Sequence, residues 1–137
     1  KIVGIEPDCA ASTLASMEAG HLVTVPGPHT SIMGGLNCGT VSLVVWPILR
    51  AGIDCFVAIG DDRVEEGMRY LARAGVTAGE TGASGPACLL ELLTGPQAGV
   101  ARRRLAIGSS TRVLLVSTEG ATDPEAFQRI VGGKIGT

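Results

Sequence analysis

The alternation of apolar and polar positions along the 137 residues predicts short apolar strands separated by helical stretches. Ile2 to Ile5 reads as a strand. Pro7-Asp8 then starts a helix over residues 9–19, with Leu14 and Met17 on its inner face and Gly20 at its end. Leu22 to Val25 reads as an edge strand closed by Pro26-Gly27-Pro28. Residues 30–38 are glycine-rich and irregular, and a helix over 40–51, broken or shifted by Pro47, stops at Gly52. Residues 54–59 form the next buried strand. Asp62 with Glu65 gives a capping-box-like start to a helix over 62–74, whose apolar stripe is Val64, Met68 and Leu71. A loop at 75–82 precedes helices over 84–93 and from Pro96 to Ala106. A strand over 112–117 follows, then a short helix from Pro124 to Val131 and a glycine-rich tail. Apolar strands alternating with helices predict an α/β fold, an open parallel sheet flanked by helices, in a single domain over 1–137.

Three segments of this pattern could carry chemistry. The branched run Val113-Leu114-Leu115-Val116 delivers Ser117 at a strand's carboxyl end. The chain then turns through Thr118-Glu119-Gly120-Ala121-Thr122 to Asp123-Pro124, an N-cap carboxylate followed by a proline at the first helical position. Ligands of open α/β sheets bind just outside the carboxyl ends of strands, so a hydroxyl held there can meet one atom of a cofactor. A strand ending in Ser-Thr before a glycine turn also occurs in α/β proteins that use no cofactor. Gly79-Glu80-Thr81-Gly82-Ala83 opens a helix, and its backbone N–H groups could receive an anion. Glu80 could equally cap that helix or face solvent. In Thr30-Ser31-Ile32-Met33-Gly34-Gly35-Leu36 the glycines either let the backbone approach a ligand or only turn the chain into the next helix.

Composition narrows the class. With 45% hydrophobic and 18% charged residues the chain has ordinary globular composition. A formal net charge of −2 gives no broad basic surface, which argues against a nucleic-acid partner. Arg102-Arg103-Arg104, the one basic cluster, ends a helix and reads as a solvated face favoured by the dipole. Cys9, Cys38, Cys55 and Cys88 show no Cys-x-x-Cys spacing, and His21 and His29 form no ligand pair with them, so no metal site is expected. Cys55 and Cys88 sit in apolar runs and read as small core residues. The longest apolar run, Val41 to Leu49, is too short for a bilayer and contains Pro47, so no membrane partner is expected. No signal peptide is visible, and a cytoplasmic setting is expected. The start at Lys1, directly before a strand, is how a fragment begins.

Taken in order, the segments resemble one family. Ser117-Thr118-Glu119-Gly120-Ala121-Thr122-Asp123 is similar to the Ser-Thr-Glu-Gly-Asp-Thr-Asp signature of the diaminopropionate ammonia-lyases, fold-type II pyridoxal-phosphate (PLP) enzymes of the tryptophan synthase β superfamily. Thr30 to Leu36, continuing through Asn37-Cys38-Gly39, resembles their Thr-Ile-Met-x-Gly-Leu-x-Cys-Gly stretch. Ile2 to Pro7, Trp46 to Arg50, Gly79 to Ala83, and Ile130-Val131 with Gly133-Lys134 match the same family in order and approximate spacing. There are departures: Ala121 stands where the family has aspartate, and Ser12 where relatives carry a cysteine, with Cys9 one turn earlier.

The resemblance implies the fold-type II architecture, PLP as cofactor, a small amino-acid substrate, a homodimer, and elimination of ammonia from 2,3-diaminopropionate to give pyruvate. It assigns Ser117, Thr118, Gly120 and Glu80 to cofactor binding, Ser117 facing the pyridine nitrogen, and Thr30, Gly34 and Gly35 to the substrate pocket. Such enzymes also need a Schiff-base lysine and a glycine-rich phosphate loop. The lysines here are Lys1 and Lys134, and the family places both elements upstream of Lys1. The chain therefore reads as the C-terminal part of such a lyase, with no catalytic residue of its own and inactive alone. Two other expectations stand beside it: a threonine or serine dehydratase of the same fold type, and a non-catalytic regulatory or interaction module.

Overall fold

A computed structural model describes residues 1–132. The chain forms two compact units, Lys1–Asp61 and Asp62–Thr137. In the first, β1 (Val3–Pro7) and β2 (Cys55–Ile59) pair in parallel, with Val3 opposite Cys55 and Pro7 opposite Ile59. Both strands form where short apolar runs predict them, within two residues at each end. The parallel α/β class expected from the strand–helix alternation is the one observed.

The first crossover begins with a 3₁₀ turn, Asp8–Ala10, and continues as α1 (Ser12–Ala19), which Gly20 ends in the left-handed conformation. Leu14 and Met17 do not form its inner face. The buried positions are Ser12 and Ser16, one turn apart. Their hydroxyls find partners that local sequence does not reveal. Ser12 donates to the Cys38 carbonyl at 2.9 Å, and Ser16 donates to the Ser12 carbonyl at 2.7 Å while accepting from the Val23 N–H at 2.9 Å. Satisfied hydroxyls of small side chains can be buried where a larger apolar side chain would not fit. No local side chain caps α1. The Glu6 carboxylate, carried by β1, accepts the N–H groups of Thr13 and Leu14 at 2.7 and 2.8 Å. Two of the helix's orphan donors are thus met by a charge at the positive end of its dipole.

The expected edge strand at 22–25 is absent. That segment is irregular, and its backbone link to another segment is the Val25 N–H to the Gly39 carbonyl, 2.8 Å. The helix expected over 40–51 starts only at Trp46 (α2, Trp46–Gly52), because Pro47 lies in its first turn, where a missing N–H breaks no helical bond. Of the two expected effects of Pro47, a break or a shift, the structure shows the shift.

α3 (Asp61–Arg73) opens at the last residue of the first unit. Val64 and Met68 are buried as its stripe predicts, with Gly67 beside them, whereas Leu71 is only half-buried. Glu65 pairs with Arg69 at 2.7 Å. α4 (Ser84–Thr94), α5 (Ala98–Leu105) and α6 (Pro124–Val131) follow in the second unit, and Asp123 accepts the Ala126 N–H at 2.9 Å as the expected N-cap of α6. The strand expected over 112–117 does not form. The segment is irregular, makes no backbone–backbone hydrogen bond among the described residues, and leaves Leu114 88% exposed. A strand exists only through its ladder, and no described strand lies beside this run to complete one. The glycine-rich tail beyond Gly132, with Lys134, lies outside the described residues. Cys88 is buried as expected, and Cys55 is partly buried in β2.

The Glu6 bridge has a measurable consequence. Replacing it with alanine strands two backbone donors, and Glu6→Ala should destabilise this chain by about 1–2 kcal/mol in a urea titration, the scale of losing a helix cap. Glu6→Gln, which keeps one acceptor, should lose less.

Candidate functional site

In the second unit two loops far apart in sequence meet backbone to backbone. The turn before α4 carries Gly79 and Gly82, and the turn before α6 carries Ser117 to Thr122. A Cβ built on Gly82 would collide with the Glu119 carbonyl oxygen and lie 2.9 Å from the Ser117 Oγ, and one on Gly79 would collide with the Gly120 carbonyl. Glycine at these positions is what lets the loops touch. The Gly79 N–H donates to the Glu119 carbonyl at 3.2 Å.

Glu119 closes the contact with its side chain. Oε2 accepts the Thr81 N–H at 3.2 Å and Oε1 accepts the Thr122 hydroxyl at 2.9 Å. Hydrogen bonds from the Thr81 and Thr122 hydroxyls, with smaller help from the Thr81 and Gly82 amides, hold the Glu119 carboxyl below its ordinary range against the opposing effect of burial. The turn at 79–83, which the sequence leaves open as an anion cradle or a plain helix start, does meet an anion. The anion is the chain's own carboxylate.

Of the residues assigned to the cofactor, Ser117, Thr118, Gly120 and Glu80 all belong to this unit. Ser117 is exposed, and its hydroxyl has no hydrogen-bond partner among the described residues. Glu80 is half-buried in the adjoining turn. Thr30, Gly34 and Gly35 belong to the first unit. Gly35 lines a cavity of about 390 Å³ there, with Glu6, Ser12, Thr13, Leu36 and Ser42 among its other walls, whereas Thr30 and Gly34 are exposed and do not line it. The 30–36 segment is held by Asp61, whose carboxylate accepts from the Ser31 hydroxyl at 2.5 Å and the Ile32 N–H at 3.2 Å. Asn37 donates to the Ser31 carbonyl at 2.7 Å, and its buried Oδ1 has no partner among the described residues. Asp61, Asn37 and Glu119 were not among the candidates. Each acts on a partner at least six residues away, which spacing rules do not reach. Among the described residues no cluster of His, Cys, Asp and Glu could hold a metal, and no helix is long and apolar enough to cross a membrane.

A profile of the family described as "Pyridoxal-phosphate dependent enzyme" matches residues 1–99. The chain belongs to this family. Diaminopropionate ammonia-lyase of Salmonella typhimurium is 36% identical over 138 residues, covering 95% of this chain and 34% of that protein. The crystal structure of the Escherichia coli diaminopropionate ammonia lyase, in complex with an aminoacrylate-PLP azomethine reaction intermediate, superposes with a TM-score of 0.84 at 32% identity over 96% of this chain and 34% of that one. A threonine deaminase from T.th. reaches a TM-score of 0.62 at 28% identity over 65% of this chain and 33% of that one. The chain spans about a third of the length of the curated relatives it matches.

Membership makes PLP the group against which the residues are judged, and the Ser117 loop fits it. A pyridine nitrogen is an acceptor, and Ser117 offers an exposed hydroxyl donor with no partner among the described residues. The carboxylate two residues on, which would favour a protonated ring, is bonded to Thr81 and Thr122 instead.

Glu119 predicts the acid response of this unit. A carboxyl depressed in the folded state stabilises fully above its unfolded pKa and loses that contribution as pH falls through the folded value. The difference in urea midpoint between this chain and Glu119→Gln should therefore be largest near neutrality and shrink as the pH is lowered to about 3. A difference that stays constant over that range would contradict the ionised tie.

Proposed function

We propose that this chain is the C-terminal part of a PLP-dependent ammonia-lyase that converts 2,3-diaminopropionate and water to pyruvate and two molecules of ammonia. The observation that carries the reading is the Ser117 loop. It presents a neutral hydroxyl donor, in a family whose cofactor ring carries one nitrogen acceptor. The 36% identity to a diaminopropionate ammonia-lyase along nearly the whole chain supports the substrate class over the dehydratases, to which the sequence likeness is weaker.

When bound, PLP supplies an electron sink for the bond broken at the substrate's α-carbon. This chain's residues set how deep that sink is. Ser117 donates its hydroxyl hydrogen to the ring nitrogen. A serine hydroxyl is far too weak an acid to transfer the proton, so Ser117 would hold the ring nitrogen as a hydrogen-bond acceptor without protonating it, which would favour elimination over side reactions such as transamination. Thr118 and Gly120 shape the turn around that hydroxyl, and Glu80 borders it from the turn before α4. Thr30, Gly34 and Gly35, in the first unit, are assigned to substrate by the family resemblance alone. The complete enzyme is a cytoplasmic homodimer in this reading.

Turnover of the complete enzyme with 2,3-diaminopropionate, serine and threonine is the test. A kcat/KM for 2,3-diaminopropionate at least about tenfold above the others, about 1.4 kcal/mol of transition-state preference, is expected. Preference for threonine or serine would replace the substrate assignment with a dehydratase, and no turnover of any would favour a non-catalytic module.

The 137-residue chain alone should not react with PLP. Lys1 is ion-paired with Asp54 at 2.9 Å on the exposed end of β1, and no lysine stands in either candidate loop. Contacts at a helix terminus contribute about 0.3–1 kcal/mol each at exposed sites, far short of the roughly 8 kcal/mol of micromolar binding. Titration with PLP should show no new absorbance near the visible edge; a band abolished by replacing Lys1 or Lys134 would show that the chain carries its own attachment point.

A further inference from the structure

Glu119 is the acidic side chain nearest in sequence to Ser117, and its geometry excludes the role that proximity suggests. A general base must be free to turn toward the proton it takes and needs a pKa close to the working pH. Both carboxylate oxygens of Glu119 are engaged, one by the Thr81 N–H and one by the Thr122 hydroxyl, and these bonds pin the group in place and favour its ionised, weakly basic form. It therefore acts through what it holds. On one side is the turn at 79–82, made rigid by the start of α4. On the other is the 117–122 loop, reached by a segment that has no backbone bonds of its own over 112–118 among the described residues. Among the described residues, the hydrogen bonds that join this loop to the turn at 79–82 run through Glu119, its carbonyl to the Gly79 N–H and its Oε2 to the Thr81 N–H, while Oε1 accepts from Thr122 within the loop. Ser117 Oγ lies 2.9 Å from where a Cβ of Gly82 would stand, so the place of that hydroxyl is set by the same contact.

We propose that Glu119 is the positioning residue of the ring-nitrogen site: its carboxylate ties the 117–122 loop to the turn at 79–82 and thereby holds the Ser117 hydroxyl in line with the cofactor. The proposal rests on the reading of Ser117 as the partner of the pyridine nitrogen. Charge-assisted hydrogen bonds are shorter and roughly twice as strong as neutral ones, which suits an anion to this task. Glutamine retains part of it, since its carbonyl can still accept from Thr81 while its amide donates to the Thr122 oxygen.

Two measurements test this. In the 137-residue chain without cofactor, amide hydrogen exchange at Thr81 should accelerate about tenfold in Glu119→Ala and by less than about threefold in Glu119→Gln. Unchanged exchange in Glu119→Ala overturns the tie. In the complete enzyme loaded with ¹⁵N-labelled PLP, the ring-nitrogen chemical shift should move in Ser117→Ala, move in the same direction in Glu119→Ala, and return towards the parent value in Glu119→Gln. General loss of stability does not shift the ring signal of the folded enzyme, so this readout separates positioning from folding. A shift that moves in Ser117→Ala but not in Glu119→Ala overturns the positioning role alone. A shift unmoved by Ser117→Ala overturns the Ser117 reading and the proposal together.

Discussion

A backbone N–H removed from water must find another acceptor or the fold forfeits free energy on the scale of a lost hydrogen bond. The described part of this chain has two strands, and much of its length runs in loops and short helices, where ladders cannot meet that demand. Carboxylates meet it instead. Glu6 takes the first donors of α1, Asp61 takes the Ile32 N–H, Glu119 takes that of Thr81, and Asp123 that of Ala126. Glu6, Asp61 and Glu119 each join segments apart in sequence, and Asp123 caps the helix that it starts. The acidic residues are in this sense structural elements of the fold, and its chemistry is arranged around them.

Both candidate loops inherit their shape from this arrangement. The 30–36 segment is set by Asp61, which lies at the first position of α3, so a helix start and a loop share one carboxylate. The 117–122 loop is set by Glu119 and by two glycines whose missing side chains allow the approach. Ser117 is left exposed while its neighbours are tied. That is the condition for a side chain to serve a ligand and not the fold.

Local signals were legible in the sequence. Asp123-Pro124 announces α6, the stripe of Val64 and Met68 announces α3, and short β-rich runs announce β1 and β2. What depends on distant partners was not. The inner face of α1 is made of Ser12 and Ser16 because Cys38 and Val23 lie there to satisfy them, a fact no helical wheel contains. Residues 112–117 carry every residue-level mark of a strand, yet a strand is a relation between two segments. The motif around Ser117 drew attention to its loop, while the carboxylate that anchors that loop bonds across 38 residues, beyond the reach of local spacing.

The run from Val113 to Val116, without a ladder partner among the described residues, also bears on how such a polypeptide fares in a cell. Four branched apolar residues with unengaged amides resemble the stretches that molecular chaperones grasp and that neighbouring chains add to as strands. Arg112 at its leading edge is a single gatekeeper charge. Quality control would therefore read this segment as unfinished folding, and the chain's lifetime would depend on how soon another strand lies down beside it.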